Sequence, residues 1–193
     1  MEENLEQSMY VVDPVVRYQY FENLKHRTIV FNRLVDEDIL EYLILPLRQF
    51  EEDDSNEPVT LILNTCGGST MAGLVVLNLI DNYKKPLNIH VYSYAMSMGA
   101  IILAAGNKNP NVHKYAHKFS IGLIHSGDVV LGQSTAGQAK DTMQFLQDID
   151  KRIEQYFFEN TNFTRAVWKK IKDKEFYMTA DQMKQYGLID EIL

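Results

Sequence analysis

A serine in this chain stands where a buried strand is predicted to give way to a helix. Ser97 follows the largely apolar run 87–92 and precedes the apolar residues 101–105. At such a junction the hydroxyl faces the end of the sheet, and the first free amides of the helix point at any group bonded to it. Those amides are suited to hold an oxyanion. The structural alternative is a helix N-cap serine with no chemical role.

A histidine and a glycine pair stand at similar positions. His125 ends the strand-like run 119–124, and a Gly-Gly pair at 67 and 68 follows the apolar run 59–63. Open α/β sheets place their sites at the carboxyl ends of strands. Together these are the parts of an acyl-transfer site, in which the histidine would accept the hydroxyl proton and the amides of Gly68 and Met98 would hold the oxyanion.

The elements around these residues alternate between strands and helices. Strands are predicted at 27–31, 59–63, 87–92 and 119–124, and the main helices at 15–24, from Asp36, from Ser69 or Thr70, at 101–105, 135–159, 164–172 and 180–186. This βαβ order predicts right-handed crossovers and a parallel sheet, so we expect an α/β fold. Residues 1–193 are expected to form one domain, with 1–14 as a flexible arm.

Composition argues against several classes of partner. The net charge is −7 and no block of basic residues would follow a phosphate backbone, so no nucleic-acid partner is expected. No apolar run approaches the roughly 18 residues of a membrane span, and the amino terminus lacks the pattern of a signal peptide. The single cysteine, Cys66, fits a reducing compartment. We expect a cytoplasmic protein without metal or other cofactor, since the histidines show no metal-ligand pattern.

Four motifs in register resemble the ClpP family, the proteolytic subunit of the Clp ATP-dependent protease. They are Asn64-Thr65-Cys66-Gly67-Gly68-Ser69, Ala95-Met96-Ser97-Met98-Gly99-Ala100, Leu123-Ile124-His125, and Tyr177-Met178-Thr179-Ala180 with Tyr186-Gly187-Leu188-Ile189-Asp190. The resemblance implies a crotonase-like ββα superhelix with a protruding handle helix. It also implies a homo-oligomeric tetradecamer of stacked heptameric rings, which cleaves unfolded polypeptides in its chamber and is fed by an AAA+ unfoldase.

The resemblance also assigns roles by position. Ser97 is the expected nucleophile and His125 the general base, and Gly68 and Met98 supply the oxyanion-hole amides. The helix at 135–159 corresponds to the handle through which the rings stack.

The third catalytic position departs from the family pattern. The family has an aspartate two residues before the aromatic position that is Tyr177 here, so the matching residue is Glu175. Glutamate can orient an imidazole, but its extra methylene requires the backbone or the His125 rotamer to adjust. Asp173 and Asp128 are the competing candidates. Each of these carboxylates could instead be a solvated surface group.

Three further departures concern the surroundings of the site. Cys66 replaces the usual proline before the glycine pair, and we expect it to be a small buried thiol. Ser126-Gly127 replaces Gln-Pro after the histidine, which predicts a more flexible loop. Lys174 replaces an arginine that helps to join the rings, and lysine cannot form the same bidentate pair, so weaker ring stacking is expected.

Four other functions compete with a serine endopeptidase. A non-catalytic or dormant ring subunit that assembles with an active paralogue is left open by Glu175 and Cys66. An acyl-CoA hydratase or isomerase shares the fold but does not use a Ser-His pair. A signal-peptide-peptidase-type enzyme would use a lysine base and a membrane segment. A phage head-maturation protease would share the same chemistry. Ser97 together with His125 favours the endopeptidase.

Overall fold

An all-parallel sheet runs from the first strand of the chain to the last. The computed structural model describes residues 14–127, 133–171 and 174–193. The sheet contains β1 (Thr28–Asn32), β2 (Val59–Asn64), β3 (Leu87–Val91), β5 (Val112–Ala116) and β8 (Glu191–Ile192), in the order β1-β2-β3-β5-β8. The predicted parallel sheet is therefore confirmed, and β5 and β8 are additional strands. Of the predicted arm over 1–14 only Pro14 lies in the described ranges, and it begins a helix.

A second, smaller sheet lies beside the first and carries the candidate site. It contains β4 (Tyr94–Met96), β6 (Ile121–Ile124) and β7 (Phe176–Thr179), in the order β4-β6-β7. The pair β4–β6 is parallel, whereas β6–β7 is antiparallel. A bridge between Thr65 and Ala95 links the end of β2 to β4. The two sheets are thus joined where the glycine pair and Ser97 leave their strands.

The helices begin and end close to the predicted positions. They are α1 (Pro14–Lys25), a π-helical turn (Leu40–Ile44) that continues into α2 (Leu45–Glu52), α3 (Thr70–Asp81), α4 (Met98–Ala104), α5 (Ala136–Asn160), α6 (Arg165–Ile171) and α7 (Ala180–Gln185). Pro46 lies in the first turn of α2, where no intrahelical N–H is needed. The chain therefore accommodates this proline by a change of helix type.

Side chains at the helix starts satisfy free backbone amides. Ser69 caps α3 by accepting a hydrogen bond from the Ala72 N–H. Thr135 and Gln138 form a capping box at the start of α5. The mixed α/β architecture agrees with the predicted fold class.

The long helix α5 packs on the core only through its last turns. Its buried residues are Ile153, Phe157 and Asn160, whereas the residues from Ala136 to Asp150 are exposed or half-buried. This distribution matches the protruding handle that the resemblance predicts. Within the part of the chain described, no helix combines the length and apolarity needed to cross a membrane.

Candidate active site

Ser97 occupies a backbone conformation that few residues other than glycine adopt. Its φ is +52° and its ψ is −121°. Its N–H donates to the Leu123 carbonyl oxygen at 2.8 Å, so β6 holds the turn in place. Although Ser97 precedes α4, its side chain makes no capping hydrogen bond to that helix. A positive φ at a strand-to-helix turn is typical of an exposed nucleophile, and the hydroxyl here is not used as a cap.

Close packing behind Ser97 fixes the start of α4. A Cβ on Gly99 would lie 2.5 Å from the Cγ2 atom of Thr65, and a Cβ on Gly73 of α3 would overlap the Met98 side chain. The Met98 side chain is accordingly buried, with 2% of its surface exposed. These small residues allow α4 to lie directly against α3 and the end of β2, which limits the movement of the Ser97 turn.

The glycine pair forms a turn that only glycine can occupy. Gly67 and Gly68 have φ values of +92° and +143°. The segment at Val35 flanks this turn, since the Val35 N–H donates to the Gly67 carbonyl at 2.8 Å and the Val35 carbonyl accepts from the Ser69 N–H at 2.6 Å. A Cβ on Gly68 would collide with the Val35 carbonyl oxygen. The backbone must therefore pass very close to its neighbour at this point.

Two backbone amides beside Ser97 remain without hydrogen-bond acceptors. Among the described residues, neither the Gly68 N–H nor the Met98 N–H donates a hydrogen bond. A Cβ on Gly67 would lie 2.7 Å from the Ser97 Cβ and 2.8 Å from the Met98 nitrogen, so the glycine turn touches the serine junction. An oxyanion hole requires unpaired amides of this kind beside the nucleophile.

Strand register brings the three predicted catalytic side chains to one end of the small sheet. Met96 of β4 pairs with Leu123 of β6, so Ser97 follows β4 at the same end at which His125 follows β6. Ile124 pairs with Phe176 in the antiparallel ladder. The ladder ends at this pair, and its register extended by one residue would align His125 with Glu175. Because the strand order is β4-β6-β7, Ser97, His125 and Glu175 follow one another across the end of the small sheet.

The Glu175 carboxylate is bound to a tyrosine in this structure. Glu175 is exposed, and its Oε2 atom accepts a hydrogen bond of 2.9 Å from the Tyr177 hydroxyl. This bond and the carboxylate charge raise the pKa of Tyr177. Within the described ranges, no hydrogen bond joins His125 to Ser97 or to Glu175. Asp173 and Asp128, the competing candidates, lie outside those ranges, so the identity of the third residue stays a prediction.

The prediction of a buried cysteine is wrong, because Cys66 is exposed. The turn that begins at Cys66 leaves the sheet at the carboxyl end of β2. The side chain that is fully buried at this point belongs to Thr65. Interaction with the Cys66 thiol raises the pKa of Tyr94. The thiol therefore borders the candidate site on its solvent side.

Sequence reasoning missed several residues that contact the site residues. Thr65 is fully buried and its Oγ1 atom accepts a hydrogen bond of 3.0 Å from the Gly67 N–H. Val35 holds the other side of the glycine turn, and Tyr177 binds Glu175. A polar residue at the end of a buried strand was the available signal for Thr65. Val35 carries no such signal, since its role comes from backbone atoms alone.

Two of the other histidines take part in packing. His90 stacks on Tyr115 and His117 stacks on Tyr92, with ring centroids 4.8 Å and 4.3 Å apart. In the described residues no group of three histidine, cysteine or carboxylate side chains could hold a metal ion.

This chain is similar to one protein family and to known members of it. A family model described as Clp protease matches residues 15–193. The chain is 31% identical over 173 residues to the ATP-dependent Clp protease proteolytic subunit 2 of Bacillus licheniformis, covering 88% of this chain and 87% of the relative. It is also 31% identical over 177 residues to the ATP-dependent Clp protease proteolytic subunit of Cyanophora paradoxa, covering 88% and 85% of the two chains. The motifs, the fold and these matches agree, and the chain therefore belongs to the Clp protease family.

Proposed function

We propose that this chain is a serine endopeptidase that degrades unfolded polypeptides, with Ser97 as the nucleophile and His125 as the general base. The observation that carries the proposal is the Ser97 turn, which combines a positive φ, an uncapped hydroxyl and two neighbouring amides without acceptors. Glu175 is the proposed third residue, because the register that pairs Ile124 with Phe176, extended by one residue, would align it with His125. The Gly68 and Met98 amides are the proposed oxyanion hole.

The proposed reaction proceeds through an acyl-enzyme. The Ser97 Oγ attacks the carbonyl carbon of the scissile peptide bond while His125 takes the hydroxyl proton. The negative charge that forms on the carbonyl oxygen is stabilised by the two amides. The C–N bond then breaks, and His125 gives its proton to the leaving amine. Water, deprotonated by His125, hydrolyses the ester and restores Ser97.

The same proposal includes a ring chamber and an AAA+ partner. Both relatives carry the words ATP-dependent in their names, and the family relationship supports a partner that hydrolyses the ATP. The exposed half of α5 supports stacking of two rings, with two heptameric rings as the proposed assembly. We further propose a single peptidase domain that acts in the cytoplasm.

The experiment that tests this function uses the purified chain in three assays. Sedimentation velocity measures whether rings form. Hydrolysis of a short fluorogenic peptide measures the chemistry alone, and degradation of an unfolded protein with ATP and an AAA+ unfoldase measures the complete reaction. The proposal predicts peptide hydrolysis that Ser97→Ala abolishes. Rings that contain intact Ser97 and never hydrolyse a peptide would contradict it.

One observation favours a second candidate, a dormant ring subunit that assembles with an active paralogue. The Glu175 carboxylate binds Tyr177 instead of His125, so the imidazole lacks an orienting carboxylate among the described residues. This candidate predicts that the isolated chain is inactive and that mixed rings with an active paralogue hydrolyse peptides. In such rings Ser97→Ala would leave the rate unchanged if this chain contributes no chemistry.

A further inference from the structure

A lysine is buried in the core at the end of α4 that lies away from Ser97. Lys114 lies on β5, and only 1% of its surface is exposed. Its ammonium group donates hydrogen bonds to the Leu103 carbonyl at 2.8 Å, to the Ala105 carbonyl at 3.2 Å and to the Asn107 Oδ1 atom. A buried lysine is rare and requires polar partners, which are supplied here by three oxygen atoms.

The oxygens that bind Lys114 belong to the end of the helix that begins at the candidate nucleophile. α4 starts directly after Ser97 and ends at Ala104, so Leu103 and Ala105 lie at its carboxyl end. The last carbonyls of a helix lack intrahelical partners and carry the negative end of the helix dipole. The Lys114 ammonium satisfies two of the carbonyls at this end. Because α4 is only two turns long, a shift of its end moves its start as well.

We propose that Lys114 is a positioning residue for Ser97, whose charged ammonium group holds the carboxyl end of α4 and thereby fixes the Ser97 turn at the other end. This inference rests on the proposed function. Lys114 touches neither the reacting atoms nor the substrate in this scheme, so it acts only through α4.

Two carboxylates near Lys114 favour the charged form of its amine. Asp190, before β8, accepts a hydrogen bond of 2.7 Å from the Lys114 backbone N–H. Asp81, at the end of α3, accepts from the Gly106 N–H at 2.7 Å and from the Tyr156 hydroxyl of α5 at 2.8 Å. Burial lowers the pKa of Lys114 to about 8, and the two carboxylates oppose this effect. A neutral amine has two N–H donors for three acceptors, so loss of the proton weakens the contact.

The test compares Lys114→Met and Lys114→Arg with Lys108→Met, which removes a neighbouring exposed lysine. The rate at which a fluorophosphonate labels Ser97 is measured between pH 6 and pH 10, together with kcat and KM for a short peptide. Hydrogen exchange of the α4 amides is followed by mass spectrometry at one fixed pH. We expect Lys114→Met to lower kcat and the labelling rate by roughly tenfold or more, with little change in KM, and to speed exchange in α4.

The pH profile separates a positioning role from a purely structural one. The wild type should lose labelling rate as the pH rises through about 8, and Lys114→Arg, which stays charged, should lack that decline. The wild-type profile supplies this test even if Lys114→Met does not fold. Ser97 labelling with no alkaline decline, or α4 exchange equal in Lys114→Met and Lys108→Met, would overturn the inference while leaving the proposed function intact. A wild type that is never labelled would overturn both.

Discussion

The Tyr177 hydroxyl donates a hydrogen bond of 2.9 Å to the carboxylate of Glu175, two residues earlier in the chain. The register that pairs Ile124 with Phe176, extended by one residue, would align His125 with the same carboxylate. Both groups can donate to the same carboxylate. The tyrosine therefore competes with the histidine for the proposed third catalytic residue.

Removal of this hydroxyl should release the carboxylate. We expect Tyr177→Phe to raise the rate of fluorophosphonate labelling severalfold, because Glu175 would then be free to orient His125. Glu175→Ala should lower the rate, and the double variant should match Glu175→Ala. Tyr18→Phe, which alters an exposed tyrosine on α1, is the control. Equal labelling of Tyr177→Phe and the wild type would show that the tyrosine does not restrain the site.

Gly68 should tolerate no side chain. Gly68→Ala places a Cβ on the Val35 carbonyl oxygen at a φ of +143°, so we expect a loss of about 1–3 kcal/mol in the free energy of unfolding and a slower labelling of Ser97. The matched control is Gly137→Ala in α5, where a Cβ would meet nothing within 4 Å. That change should be neutral or stabilising by up to about 1 kcal/mol. Denaturant unfolding of both variants measures the difference, and equal stabilities would contradict the geometry of the turn.

The burial of Lys114 should appear in the pH dependence of stability. Burial lowers its pKa from 10.5 to about 8, so between these values the unfolded chain binds a proton that the folded chain has released. The contribution of Lys114 to the free energy of unfolding therefore rises with pH over this window, by up to about 3 kcal/mol. The difference in stability between the wild type and Lys114→Met should grow accordingly. A constant difference from pH 7 to pH 10.5 would exclude the lowered pKa.

Asp53 should stabilise the fold down to acidic pH. Asp53 binds Arg27 and Lys85, and these cations lower its pKa to about 2. Its stabilising effect should be complete above the ordinary value of 3.8 and should disappear as the pH falls through about 2. Thermal unfolding of Asp53→Asn should show a lower Tm at pH 7 and a wild-type Tm at the acidic limit. Asp54→Asn, at the exposed neighbouring position, should match the wild type throughout.

The sequence predicts the large elements because their patterns are long and regular. Apolar runs predict β2 and β3, and the helical spacing of apolar residues predicts α5. The strands β4 and β8 contain three and two residues, which is too short for a pattern. β5 is hidden because the buried position of Lys114 carries a charged residue, whose burial depends on carbonyls supplied by α4 and the following turn.

Some features of the candidate site can also be predicted from the sequence, whereas others cannot. Strand ends predict the positions of Ser97 and His125, since the carboxyl ends of parallel strands share an edge. The partner chosen by Glu175 depends on side-chain conformation, and the exposure of Cys66 depends on where the turn leaves the sheet. Neither property follows from the order of residue types along the chain.

Treatment of the assembled protein with a fluorophosphonate, followed by measurement of the intact mass of the chain, tests whether Ser97 is an activated nucleophile. We predict one phosphonyl adduct per chain in the wild type. The adduct should be absent from Ser97→Ala and should form more slowly in Glu175→Ala. Cys66→Ala should be labelled like the wild type, which excludes reaction at the neighbouring thiol. An assembled wild type that gains no mass, or an adduct that persists in Ser97→Ala, would contradict the account.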